Sequence, residues 1–129
     1  MVKVLIDANV LIAAVNPTEL HFARACEILA ETTDAAVTEL VANETANVIV
    51  RRRSKKQSIE SMAQLVSSGI EIIYLDDQTF MQTLQLFKAW NKSSFADAAN
   101  IIMMRKLGIT RIATFDQAFK QIPGIEVVC

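Results

Sequence analysis

Four carboxylates stand where a small protein has no obvious reason to place them. Asp7 interrupts the apolar run VKVLIDANVLI. Glu44 has Leu40, Val41 and Val48, along with Asn47, at helical spacing, so in a helix it falls on the stripe expected to face inward. Asp97 opens the stretch SFADAANIIMM, which beyond it is apolar nearly all round, and Asp116 in ATFDQAF repeats the design of Asp7 two residues after a short apolar run. Three of these acids have a plain structural use. Asp7 and Asp116 each fit the N-cap of a following helical turn, and Asp97 fits the third helical position of a capping box begun by Ser94. Glu44 has no such use, and an uncompensated carboxylate on an apolar face is costly. Glu39, by contrast, merely suits the positive end of a helix dipole.

The elements that must position these residues follow from periodicity and punctuation. VKVLI (2–6), AAV (35–37), IEIIYL (70–75), RIAT (111–114) and IEVV (125–128) read as short strands. Helical patterns run from about Asn9 to Val15, Glu19 to Ala30, Thr38 to Arg52 and 55 to 67, with Asn16-Pro17-Thr18 as a turn. Two more run from an Asp77 cap to Trp90 and from a Ser94 cap to Leu107-Gly108. Strands alternating with helices, the strands almost continuously apolar, predict an α/β fold layered around a parallel sheet.

In such a sheet, ligands bind beyond the carboxyl ends of the strands. Asp7 and Asp116 follow strand ends, while Asp97 and Glu44 sit at or near helix starts. Four acids gathered there would repel one another. A hard divalent cation, Mg²⁺ or Mn²⁺, relieves that repulsion and still leaves positions for phosphate oxygens. No His/Cys cluster suggests zinc; His21, the one histidine, reads as an exposed residue in the first turn of a helix.

The segments VLIDANVLI, LVANETANVIVRRR and SSFADAANIIMMRKLGITRIATFDQAF, in that order, resemble the PIN-domain ribonucleases, including the toxins of VapBC-type toxin–antitoxin pairs. The resemblance spans nearly the whole chain. It implies a three-layer α/β/α fold with a central parallel sheet of about five strands. It further implies an acidic quartet of Asp7, Glu44, Asp97 and Asp116, with Asp7, Asp97 and Asp116 as the main ligands of Mg²⁺ or Mn²⁺, and cleavage of single-stranded RNA to 5′-phosphate and 3′-hydroxyl ends. Glu44 either ligates or positions the attacking water. Asn9 and Thr114 occupy places where the family carries polar residues that orient the first carboxylate or a bound water. Ala8 replaces a frequent Ser or Thr, and Gln117 and Ala118 stand where some relatives carry a further acid. The family also implies a homodimer and a small antitoxin partner.

The remaining features bound this reading. With 129 residues, 52% apolar and 21% charged, the chain is expected to form one domain over 1–129. No apolar run approaches the roughly 18–20 residues of a membrane span, and the start of the chain shows no cleavable signal, which places the protein in the cytoplasm. A net charge of −1 leaves any nucleic-acid contact to a local cluster, and Arg51, Arg52 and Arg53, with Lys55 and Lys56, form it, either as solvated charges at a helix end or as RNA phosphate contacts. Cys26 is expected to be a small buried hydrophobe on one stripe with Phe22 and Leu29. Phe80, Phe87 and Trp90 read as core or dimer contacts. The alternatives are a catalytically silent PIN-like binding module acting through a protein partner, and another Mg²⁺ enzyme on a doubly wound sheet. For the latter, Asp7-Ala8-Asn9 lacks the Asp-x-Asp of a haloacid-dehalogenase-type phosphatase and the acidic pair of a receiver domain.

Overall fold

The computed structural model describes residues 2–91 and 93–129. β1 (Val4–Ile6) leads into α1 (Ala8–Ala14) and α2 (Phe22–Glu31), and β2 (Ala35–Thr38) into α3 (Glu39–Arg52) and α4 (Lys55–Ser67). β3 (Glu71–Ile73) is followed by α5 (Asp77–Ala89) and α6 (Phe95–Leu107), then β4 (Arg111–Ala113), a 3₁₀ turn (Gln117–Gln121) and β5 (Glu126–Val128). All pairings are parallel, in the order β3-β2-β1-β4-β5. The expected α/β/α sandwich around a five-stranded parallel sheet is therefore borne out.

Side chains alternate across a strand, so each strand feeds two cores. Val4, Ile6, Ala35, Val37 and Ala113 point to one face and pack under α1 to α4 with Val10, Ile28, Val41 and Leu65. Leu5, Ala36, Ile73 and Ile112 point to the other and meet Ile101, Met103 and Met104 of α6 and Phe119 of the 3₁₀ turn, with Trp90 packed edge-on to Phe119. Burial on both faces is why these strands are apolar without alternation.

Several boundaries differ from the sequence reading for local reasons. α2 begins at Phe22 rather than Glu19, because the Asn16 side chain accepts both the amide and the hydroxyl of Thr18 and keeps the chain in a turn. β3 stops at Ile73 rather than Leu75, whose amide leaves the sheet to donate to Glu39 Oε2 at 3.0 Å. The cap of α5 is Asp76, not Asp77; it accepts from the Thr79 amide at 2.8 Å and receives Lys106 Nζ at 3.1 Å. These bonds hold the exposed Asp76 carboxyl down at about 2.

One burial expectation is corrected and another divides. Cys26 is exposed, because α2 turns Ala25 and Ile28 inward and leaves Cys26 on the rim of an apolar groove beside Leu29 and Met62. Of the aromatic residues expected in the core or at a dimer contact, Trp90 packs into the second core, while Phe80 and Phe87 are exposed, resting against Phe95 at ring distances of 5.1 and 5.6 Å. Among the described residues no helix is long and apolar enough to cross a membrane.

α6 ends on Gly108 at φ 69°, and the Ile109 amide closes back on the Met104 carbonyl at 2.9 Å. A Cβ at Gly108 would meet no atom within 4 Å, so only the left-handed backbone opposes a side chain there. Gly108→Ala is expected to lower unfolding free energy by about 1 kcal/mol, read as a shift of the urea midpoint with unchanged slope.

Candidate active site

The direction of strand addition reverses at β1, with β2 and β3 on one side and β4 and β5 on the other. The loops leaving β1 and β4 therefore part, and a crevice opens at the carboxyl edge between them. An open cleft of about 420 Å³ lies there, and its lining includes Asp7, Glu44, Asp97 and Asp116. Residues separated by up to 109 positions thus border one space.

Asp7 is the fixed point. The residue is only 4% exposed, and its backbone amide ties the end of β1 to the Ala113 carbonyl of β4 at 2.9 Å. Its carboxylate caps α1 by accepting the Ala8 amide on Oδ1 at 2.8 Å. The Thr114 hydroxyl donates to Oδ2 at 2.8 Å, while Asn9 Nδ2 and Asn100 Nδ2 approach at 3.5 and 3.4 Å. Thr114 has one proton to give, and giving it to Asp7 leaves the oxygen free to accept from Asn9 Nδ2 and the Asp116 amide, each at 3.1 Å. Asn9 closes the ring by accepting the Phe115 amide on Oδ1 at 3.1 Å. The network locks the loops after β1 and β4 to each other.

The other acids combine their structural use with a place on the cleft. Asp97 completes the capping box with Ser94, both bonds 3.1 Å. Asp116 caps the 3₁₀ turn by accepting the Ala118 amide at 2.9 Å. Glu44 does not face the core as its stripe suggested. Val41 and Val48 are buried, but Glu44 is exposed on the cleft wall, because α3 meets the sheet edge there and the inward stripe runs out over the crevice.

The electrostatics match this crowding. Burial raises the Asp7 carboxyl most, opposed by the Thr114 and Ala8 bonds and reinforced by the charges of Asp97 and Glu44, bringing it to about 6. Asp97 is also raised, by burial first and then by Asp116, against its bonds to Ser94. Glu44 is raised as well; although much of its surface is open, the cleft walls desolvate the carboxyl, and Asp97 adds to the effect while Arg51 opposes it. Among the described residues none of the four acids forms an ion pair.

Nor do any three acidic, histidine or cysteine side chains, among the described residues, converge tightly enough to enclose a metal by themselves. The donor set, all oxygen, open and free of ion pairs among the described residues, fits a hard ion that keeps water between itself and part of its carboxylates. It does not fit a closed, direct-ligand site of the zinc type.

Some neighbours escaped the sequence reading. Asn100, fully buried, reaches Asp7 through Nδ2 while its Oδ1 has no partner among the described residues. A lone amide three residues after Asp97 on an otherwise apolar helix was the available signal. His21 is exposed as expected, yet it belongs to the cleft, as do Glu19 and Phe115. The basic cluster divides. Arg52 lines the cleft and pairs with Glu19 at 3.5 Å, Arg53 donates to Asn16 Oδ1 at 3.0 Å, and Arg51 lies near enough to Glu44 to pull its pKa down.

Comparison with known proteins places this geometry. A family model described as the PIN domain matches residues 4–125. The fold is similar to that of Mycobacterium tuberculosis VapC20, a toxin that cleaves the sarcin-ricin loop, with TM-score 0.84 and 20% identity over 91% of this chain and 92% of that one. It is also similar to VapBC2 of Rickettsia felis, solved bound to a DNA fragment from its promoter, at TM-score 0.72 and 17% identity over 99% and 98% of the two chains. A toxin–antitoxin complex from Klebsiella pneumoniae gives TM-score 0.67 and 19% identity over 98% and 96%. None of the curated proteins matches the sequence.

The raised Asp7 carboxyl fixes a sign for stability. A group whose pKa rises from 3.8 to about 6 on folding favours the folded state fully below pH 3.8, and that contribution is lost as pH rises through 6. The difference corresponds to roughly 3 kcal/mol. In EDTA at pH 7.5, Asp7→Asn is expected to be more stable than wild type by about 1–2 kcal/mol, the remainder offset by the weakened bond to Thr114. The gain should vanish near pH 4. Urea unfolding at the two pH values checks this; a variant less stable than wild type at pH 7.5 would contradict it.

Proposed function

This chain belongs to the PIN-domain family, and on that premise we propose that it is a divalent-metal-dependent endoribonuclease of single-stranded RNA, the toxin of a toxin–antitoxin pair, working as a homodimer. The observation that carries the proposal is the buried Asp7 carboxylate, held by fixed donors at a cleft shared with Glu44, Asp97 and Asp116, none of which forms an ion pair among the described residues. RNA as substrate is supported by the likeness to a toxin that cleaves an RNA loop, and an antitoxin partner by the likeness to a toxin–antitoxin complex.

Asp7, Asp97 and Asp116 would hold Mg²⁺ or Mn²⁺. The ion supplies charge neutralisation at the scissile phosphate and a lowered pKa for water. The chain's own groups do the rest. Glu44 takes a proton from the attacking water at its carboxylate as the water oxygen bonds to phosphorus. The bond from phosphorus to the 3′-oxygen breaks, and that oxygen takes a proton from solvent, leaving 5′-phosphate and 3′-hydroxyl ends. Thr114 and Asn9 keep the Asp7 carboxylate in one orientation. Arg52, of the three arginines, is placed to meet the RNA backbone in the cleft.

A labelled single-stranded RNA incubated with the protein and Mg²⁺ or Mn²⁺ should be cleaved, and EDTA should stop the cleavage. Asp7→Asn should reduce the rate by at least ~100-fold, and Thr114→Val by roughly 10- to 100-fold. Cleavage that persists in EDTA, or at the wild-type rate in Asp7→Asn, would contradict the proposal. A folded wild-type protein that binds a partner but cleaves nothing would favour the silent binding module.

A further inference from the structure

One part of the cleft lining is aromatic and is not explained by the carboxylates. His21 stacks on Phe115 with ring centroids 4.2 Å apart and planes 15° from parallel, and both residues line the cleft with Asp7, Asp97 and Asp116. Phe115 sits between Thr114 and Asp116, and its amide is fixed by Asn9, so its position is set by the same network that holds Asp7. His21 stands at the start of α2 and makes no side-chain cap bond there. Its ring lies against Phe115, yet the residue remains exposed on the cleft. Arg52, held by Glu19 at 3.5 Å, lines the same cleft.

A flat ring, backed by a second ring and presented beside a phosphate-binding centre, is what an unpaired nucleobase needs to stack upon. We propose that the His21–Phe115 pair is a platform for the single nucleobase next to the scissile phosphate, with Arg52 contacting an adjacent phosphate. The inference rests on the nuclease reading and adds to it a reason for single-strand preference: a base paired in a duplex cannot leave its stack to occupy the platform. His21 would act here as a specificity-determining residue by contact with the substrate base and not by proton transfer.

The test uses the full chain as wild type, His21→Ala and His21→Phe. A short single-stranded RNA cut at one bond is compared with the same RNA made abasic at each nucleotide flanking that bond. His21→Ala should raise KM roughly ten-fold or more with kcat little changed, His21→Phe should keep the wild-type KM, and on one abasic RNA all three proteins should share the raised KM. A wild-type KM in His21→Ala, or a wild-type protein indifferent to every abasic position, would overturn the platform while leaving the nuclease standing. In parallel, oligonucleotides carrying 2-aminopurine at the flanking positions report stacking by fluorescence quenching, independently of cleavage. Quenching by wild type and His21→Phe but not by His21→Ala supports the platform even if no RNA is cut, in which case the nuclease reading alone fails. Equal quenching by all three, or none by any, overturns it. Because His21 is exposed, its variants should unfold at the wild-type urea midpoint, which separates a binding effect from a folding one.

Discussion

A carboxylate kept almost out of water, with no ion-pair partner among the described residues, is the constraint on which the rest of this structure depends. Asp7 is held there by hydrogen bonds that come from the chain on both sides of the crevice: Ala8 and Asn9 from the start of α1, Thr114 from the loop after β4, and Asn100 from α6. Those bonds fix its direction but do not neutralise it, and its acidic neighbours push the other way. A divalent cation held at the cleft would supply the charge that these bonds do not.

The topology explains why this happens at one place. Strand order β3-β2-β1-β4-β5 puts the point of divergence between β1 and β4, so the two loops that carry Asp7 and Asp116 face a shared opening. α3 and α6 bring Glu44 and Asp97 to the same opening from opposite faces of the sheet. The layers also let local and functional uses coincide. Asp7, Asp97 and Asp116 each cap a helical turn with one oxygen, and each still borders the cleft.

That coincidence also governed what could be read from the sequence. The layered parallel sheet was legible because strands buried on both faces must be apolar throughout, and the capping box at Ser94 and the Gly108 stop were legible because they are local. Glu44 is anomalous in the sequence but its surroundings are not legible there: periodicity places it on the inward stripe without showing that the stripe overruns the sheet edge. Cys26 failed similarly, since the stripe through Phe22 and Leu29 is only the margin of the buried face of α2. The early end of β3, whose following Leu75 amide turns to Glu39, and the meeting of His21 with Phe115 depend on partners 36 and 94 positions away, for which no pattern in a single segment carries a signal.

Direct metal binding tests the proposed divalent-cation site most closely. Free Mn²⁺ measured by electron paramagnetic resonance during titration of the metal-free protein at pH 7.5 should fall below the added amount in wild type. The bound Mn²⁺ should be released by excess Mg²⁺, and Asp7→Asn should leave nearly all of it free. Equal Mn²⁺ binding by wild type and Asp7→Asn, or none by either, would contradict the assignment of Asp7 as the centre of the site.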